Sequence, residues 1–354
     1  MKKKILIASG GSGGHIIPAT VIYDLLKDNF HPIISSDKRG INYLNKKEYN
    51  LKIINTPRIF NQKFFIIIKF IMIFILFIRS VFYLKNERIT KIISTGGYAP
   101  IPLCLAAIFL EIDLFIYEPN LVIGKSNNFF LKKCKKIFIH SDKIQNFPEK
   151  FRKKTVILFP LVRRKFYQKK KTINKFFKIL IIGGSQGAKI FDNIFHKTLF
   201  EISKKIRLKV IHQTKKDNLG FLKRFYKKNK ISNEVFIFKN NIFNLMRNCD
   251  FCITRSGAST LGELFTLKIP FLTIPLPNSI DNHQYENGKY YFKKGCCWMV
   301  DENKISHGSL NKLIKEIILD RKKFNKKKST LIKLNRNISF NKQKNIIIKN
   351  LNEN

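Results

Sequence analysis

The sequence predicts an α/β chain built as two doubly wound domains facing one another across a cleft. Three observations carry that expectation. A short apolar strand, a glycine-rich turn and a helix open the chain, and the same unit returns near its midpoint. Each half then holds one further strand–turn–helix segment with small residues at the turn. The 354 residues suffice for two domains of ordinary size, and 44% hydrophobic residues supply two packed cores and exclude disorder as the main state.

The first unit runs from strand Lys4–Ala8 through Ser9-Gly-Gly-Ser-Gly-Gly14 and His15 into an apolar helix from about Pro18. A third turn, Ser94-Thr-Gly-Gly-Tyr98, follows strand Lys91–Ile93 and leads into a helix over Ile101–Leu110. The second half opens on strand Lys178–Ile182, the turn Gly183-Gly-Ser-Gln-Gly187 and a helix from about Ala188. Its companion is strand Phe251–Thr254 followed by Arg255-Ser-Gly-Ala-Ser-Thr-Leu-Gly-Glu263. Glycines allow a tight turn, and the N–H groups and dipole of the next helix attract phosphate. Neither opening turn fits the dinucleotide fingerprint: the spacing differs, and no acidic residue is expected about 20 residues on at a strand end. Neither carries the Gly-Lys-Ser/Thr of an ATP-binding loop. Glu263 either favours the positive end of its helix or grips the two ribose hydroxyls of a nucleotide. From about Arg321 the chain is rich in Lys and Asn, with a last helix expected over Ile338–Leu351.

Lys+Arg 68 against Asp+Glu 23 gives a formal charge of +45. The excess is spread along the chain with abundant Ile, Phe and Asn, residues that share A/T-rich codons with Lys, so it is weak evidence for a nucleic-acid partner. The six cysteines fit no disulfide framework; Cys249 and Cys252 read as residues of one strand, on opposite faces, and a buried-thiol role in a reducing cytoplasm is expected. The opening Met-Lys-Lys-Lys resembles a signal n-region, but the apolar run Ile5–Ala8 is too short for the rest of a secretion signal.

Phe64–Leu84 is about 21 residues long with only Lys69 and Arg79 charged, long enough as a helix to cross a bilayer. Crossing is not expected, because phosphate-handling turns lie on both sides of the segment and must share one cleft. It is either a helix packed in the first domain or one whose outer face dips into an anionic membrane surface, with Lys63, Lys69, Arg79 and Lys85 as a basic rim.

Taken in order, Gly10–His15, Gly96-Gly-Tyr98, Gly183–Ala188, Arg255–Ala258 with Glu263, and Asp281-Asn-His-Gln-Tyr-Glu-Asn287 resemble the MurG family, UDP-N-acetylglucosamine transferases of peptidoglycan synthesis. The resemblance spans roughly Lys4 to Asn287. It implies the GT-B architecture of two Rossmann-like domains: an acceptor domain over 1–162 to which a last helix (336–354) crosses back, and a UDP-GlcNAc domain over 163–335. It implies inverting transfer of GlcNAc from UDP-GlcNAc to the 4-hydroxyl of MurNAc in lipid I, giving lipid II. The place would be the cytoplasmic face of the bacterial inner membrane, with no cofactor or metal.

By that resemblance Ser12, Gly13 and Gly14 face the acceptor and its diphosphate, and Ser185 contacts the nucleotide phosphate. The main chain near Lys239 reads the uracil; Ala258, Ser259, Thr260, Leu261, Gly262 and Glu263 hold sugar and nucleotide. Gln284 and Asn120 reach the GlcNAc, and Arg163 is the matching arginine, with Arg164 an alternative. His15 is the expected base, with an imidazole that titrates near working pH, and Glu118 is its rival. The chain departs from the family pattern at Tyr117-Glu-Pro-Asn120, at Phe159-Pro-Leu-Val-Arg163 and at His283. The alternatives are a transferase with another lipid acceptor, a UDP-GlcNAc 2-epimerase, a basic binding protein without enzymatic activity, and a decayed, inactive transferase.

Overall fold

A computed structural model describes residues 2–44, 47–56, 66–168, 175–184, 189–239, 242–305 and 307–353. It divides into two compact units, Met1–Arg163 with Ile338–Asn354, and Arg164–Asn337.

The first unit carries a seven-stranded parallel sheet. Its strands are β1 (Lys4–Ala8), β2 (His31–Ser36), β3 (Leu51–Ile53), β4 (Ile89–Ser94), β5 (Asp113–Tyr117), β6 (Lys136–Ile139) and β7 (Thr155–Ile157). They lie in the order β3-β2-β1-β4-β5-β6-β7, so the direction of winding reverses between β1 and β4. Ile5, Leu6, Ile7 and Ala8 are all fully buried, as expected of a central parallel strand covered on both faces. Helix α1 (Gly13–Leu26) starts five residues before the expected Pro18, which lies inside it. The glycine turn is thus already the helix N-terminus, where the leading N–H groups have no intrahelical carbonyl to bond. Helix α2 is Lys38–Ile41.

Helix α3 (Ile66–Asn86) ends two residues later than the segment expected from the apolar run. It packs on α4 (Ile101–Phe109), with Ile73, Ser80 and Leu84 buried and Phe77 edge-on to Phe109 at 5.8 Å. Its other face exposes Ile68, Phe70, Ile71, Met72, Phe74, Ile75, Ile78 and Phe82 beside Arg79 and Lys85. Lys63, Phe64 and the side chain of Lys69 lie outside the described residues. Among the described residues no helix is long and apolar enough to cross a membrane. Helix α5 is Lys125–Phe130.

The second unit has a six-stranded parallel sheet. Its strands are β8 (Phe177–Ile182), β9 (Leu208–Gln213), β10 (Ser232–Phe236), β11 (Phe251–Thr254), β12 (Phe271–Thr273) and β13 (Cys297–Met299). The order is β10-β9-β8-β11-β12-β13, with the reversal between β8 and β11. Its helices are α6 (Lys189–Ser203), α7 (Lys216–Lys228), α8 (Phe243–Asn248), α9 (Ala258–Leu267), α10 (His283–Lys293), α11 (His307–Leu319) and α12 (Arg321–Leu334). Strand β11 starts at Phe251, and Cys249 terminates α8 rather than sharing the strand with Cys252; all six thiols are buried. The last helix, α13 (Phe340–Asn352), joins the first unit: Ile347 and Leu351 enter its core, and Lys344 pairs with Asp28 at 2.6 Å.

Candidate active site

In an open parallel sheet, ligands bind beyond the carboxyl ends of the strands where the winding reverses. In the first unit those strands are β1 and β4, and the two that carry the turns Gly10–Gly14 and Gly96–Tyr98 are these. The turns interlock: Gly10 N donates to the Gly96 carbonyl at 2.8 Å, and Thr95 N donates to the Ala8 carbonyl at 2.9 Å. Gly97 has φ +84°, and a Cβ on it would stand 2.7 Å from the Gly10 Cα, so only glycine fits there.

His15, half-buried in the first turn of α1, lies against this pair. Its Nδ1 is 2.8 Å from the Thr95 carbonyl oxygen. A carbonyl only accepts, so Nδ1 carries the proton and Nε2 is the basic nitrogen of the neutral ring. Ser12 and Gly14 are exposed and Gly13 half-buried at the same turn.

One expectation from sequence is overturned here. An acidic residue does follow a strand end after the first glycine turn: Asp37, directly after β2 and buried. It is engaged as a structural group. Its Oδ1 accepts from Gly40 N at 3.0 Å, capping α2, and Oδ2 pairs with Arg39, whose guanidinium also donates to the Tyr98 hydroxyl. A Cβ at Gly11 would fall 2.0 Å from Asp37 Oδ1, so the carboxylate rests directly on that turn. The spacing of 26 positions between Gly11 and Asp37 was the available signal, masked because the limits of β2 are set by sheet pairing.

Glu118, the rival base, is 1% exposed at the end of β5. Its two oxygens accept from Asn120 N (3.1 Å), Asn120 Nδ2 (3.1 Å), Gly124 N (3.0 Å) and Asn127 Nδ2 (2.9 Å). Burial pushes its carboxyl above the ordinary value against the pull of those donors. The arrangement folds the 118–127 loop and orients Asn120. Tyr117, at the first position of that altered stretch, shares its hydroxyl with His140 Nε2 at 3.1 Å and with Leu161 N at 3.4 Å. Arg163, half-buried, closes the first unit two residues further on.

In the second unit the reversal strands are β8 and β11. Ser185, with the rest of 185–188, lies outside the described residues; Gly183 and Gly184 lead up to it from β8. Beyond β11, Gly257 precedes α9, whose first residues Ala258, Ser259 and Thr260 are half-buried at the open end. The helical period then turns Leu261 and Gly262 inward: both are buried, and the Leu261 N–H bonds the Gly257 carbonyl at 3.0 Å. The Leu261 side chain packs beneath α9 and Gly262 has none, which leaves their main chain for a ligand contact. Glu263 is 4% exposed one residue on.

Arg255, which the sequence marked only as part of a pattern, is buried. It donates to the carbonyls of Ile274 (3.2 Å) and Pro275 (3.1 Å), pairs with Glu302 and lies over Phe191. Asn287 Nδ2 donates to the Ser256 carbonyl at 3.2 Å, which joins α10 to the β11–α9 turn. On the same helix Gln284 accepts the Leu276 N–H through Oε1 at 3.0 Å, which points its Nε2 as the remaining donor. Lys239 is exposed and paired with Glu234. Among the described residues no group of three or more His, Cys, Asp or Glu is placed to hold a metal ion.

Two parallel sheets, each with small residues following the strands that flank its reversal, have the GT-B fold used by nucleotide-sugar glycosyltransferases. The N-terminal domain of glycosyltransferase family 28 matches residues 5–139 and its C-terminal domain matches 178–344. A curated relative from Pelagibacter ubique (strain HTCC1062) is 44% identical over the whole of both chains. Another, from Rickettsia felis, is 33% identical over 89% of this chain and 91% of its own. Both are named UDP-N-acetylglucosamine--N-acetylmuramyl-(pentapeptide) pyrophosphoryl-undecaprenol N-acetylglucosamine transferase, and the chain belongs to that family. The crystal structure of Acinetobacter baumannii MurG covers 99% of this chain and 100% of its own with TM-score 0.78 at 21% identity, a likeness of fold. A UDP-N-acetylglucosamine 2-epimerase structure shares the fold more distantly, with TM-score 0.64 at 10% identity over 93% of this chain and 91% of its own.

Proposed function

We propose that this chain transfers GlcNAc from UDP-GlcNAc to the MurNAc 4-hydroxyl of an undecaprenyl-diphosphate-linked acceptor, inverting the anomeric centre. The observation that carries the reading is end-to-end identity of 44% with a relative named for that reaction. The local geometry supports each step. Nε2 of His15 takes the proton of the acceptor hydroxyl as its oxygen bonds to the sugar C1 and the C1–O bond to UDP breaks. The Thr95 carbonyl, bonded to Nδ1, holds the ring in the basic tautomer and steadies the imidazolium that forms. The departing UDP is stabilised by the α9 N-terminus and the glycine-turn amides. Glu263 grips the ribose, Gln284 Nε2 and Asn120 meet the sugar hydroxyls, Ser185 and the main chain near Lys239 bind the nucleotide, and Arg163 answers the acid charge. Glu118 acts by ordering its loop, not as the base.

The lipid-linked acceptor gives the exposed apolar face of α3, with Arg79 and Lys85, a purpose: it rests in the interfacial layer of an anionic membrane, at the cytoplasmic face.

Radiolabelled GlcNAc transfer from UDP-GlcNAc to a short-chain lipid I analogue tests the reaction. The parent chain transfers label, Glu263→Ala loses donor binding, and His15→Ala keeps it but loses turnover. UDP binding without transfer would sink the acceptor assignment, and absence of both would sink the reading. Flotation with anionic vesicles tests the membrane face: the double variant Phe70→Ser, Phe74→Ser stays unbound while the parent floats.

A further inference from the structure

One consecutive stretch at the end of β9, His212-Gln213-Thr214, touches three parts of the second unit's nucleotide end. The Gln213 Oε1 accepts the Gly183 N–H at 3.2 Å, at the start of the phosphate turn. Its Nε2 donates to the Ile237 carbonyl at 3.3 Å, on the segment that leads to Lys239. Thr214 N donates to the Phe236 carbonyl at 2.9 Å on the same segment. The flanking side chains turn to the other face and meet Asp192, in the first turn of α6, the helix that follows the phosphate turn.

Asp192 is 2% exposed and His212 fully buried. Asp192 Oδ2 accepts from Thr214 Oγ1 at 2.8 Å and from Asn218 Nδ2, on α7, at 2.7 Å. Oδ1 approaches His212 Nε2 at 3.3 Å, and His212 Nδ1 meets the Tyr226 hydroxyl at 3.0 Å. Through its Oδ2 bonds Asp192 ties α6 to the end of β9 and to α7, and buried bonds of this kind fix one arrangement of the elements they join. Nothing in the transfer reaction uses these groups, and Asp192 and His212 are too deep to touch a substrate.

We infer that Gln213 and Asp192 are positioning residues for the donor: through one tripeptide they set the phosphate turn and the base-reading segment at a fixed spacing. This rests on the reading of the second unit as the UDP-GlcNAc domain. Gln213 supplies a donor and an acceptor at once, which Leu cannot. Asp192 is replaceable by Asn: Asn accepts from Thr214 and Asn218 through Oδ1 and donates through Nδ2 to His212, whose proton then sits on Nδ1 toward Tyr226.

The test is UDP affinity by calorimetry, with KM for UDP-GlcNAc and for the lipid I analogue, kcat and melting temperature, on the full chain. Gln213→Leu weakens UDP binding and raises donor KM about ten-fold, the loss of roughly one hydrogen bond, with acceptor KM unmoved. Asp192→Leu does the same or more, and Asp192→Asn restores the parent affinity. If Asp192→Leu fails to fold, Gln213→Leu alone decides. Unchanged UDP affinity in Gln213→Leu overturns the inference, as does a fall in melting temperature with donor and acceptor KM rising together, which marks a purely structural part. A parent chain that binds no UDP would instead overturn the reading of the domain.

Discussion

Both units place glycine turns on the two strands at a reversal of winding, yet they secure those turns by opposite means. In the first unit, backbone lies on backbone: Gly10 against Gly96 and Gly97, with His15 packed on the pair and Asp37 pressed on Gly11. In the second, side chains brace the turns from below, through Gln213 to Gly183, Asn287 to Ser256 and Arg255 to the 274–275 carbonyls. Close packing holds one histidine at a fixed angle, which suits a single proton transfer. Polar bracing spreads its control over several segments at the open end of the sheet, which suits the proposed holding of an extended nucleotide sugar.

Substitutions at the two sites break or sharpen that contrast. The largest effect is expected at His15: His15→Gln lowers kcat by about 10²–10⁴-fold while UDP affinity holds, seen by single-turnover transfer beside calorimetry. Next is Gly97→Ala, where φ +84° and a Cβ 2.7 Å from backbone leave no accommodation. It destabilises the first unit by about 3 kcal/mol in denaturant unfolding, with the second unit's UDP binding intact. Glu263→Gln keeps shape but loses charge, and raises donor KM about ten-fold or more with little change in melting temperature.

The smallest is a pH slope. Burial lowers the His140 pKa to about 4 from 6.5, so between those values the unfolded chain binds a proton that the folded one refuses. Stability therefore falls as pH drops from 6.5 toward 4, by up to about 1 kcal/mol per pH unit, and His140→Gln flattens that slope in urea titrations. Equal slopes for unfolding of the two units would blur the contrast, although buried His196, in the second, contributes in the same direction.

What the sequence made legible is what local chemistry determines. The end of strand β11 at Thr254 agrees with the sequence, the glycine turns stand where small residues cluster, and the last helix lies within two residues of its expected limits. Misplacements arose where pairing or packing decides. Pro18 suggests a helix start, but the helix begins at Gly13 with Ser12 as its N-cap, and Pro18 lies inside it. Cys249 resembled a strand residue until α8 claimed it. Asp37 rests on Gly11 and Asp192 meets His212 only because the fold brings those residues together, whereas the partners of Glu118 lie within its own loop and depend on the turn that loop takes.

The Tyr117 hydroxyl, bonded to both His140 and the Leu161 N–H, joins the two stretches where this chain parts from its family's pattern. One buried hydroxyl thus couples a side chain of the first stretch to the backbone of the second. Tyr117→His alone removes the hydroxyl from a buried amide and a buried imidazole and is expected to lower the melting temperature by several degrees. Tyr117→Phe combined with His140→Gln is expected to cost less than the sum of the two single changes, because the two side chains share one hydrogen bond, measurable as a non-additive double-mutant cycle.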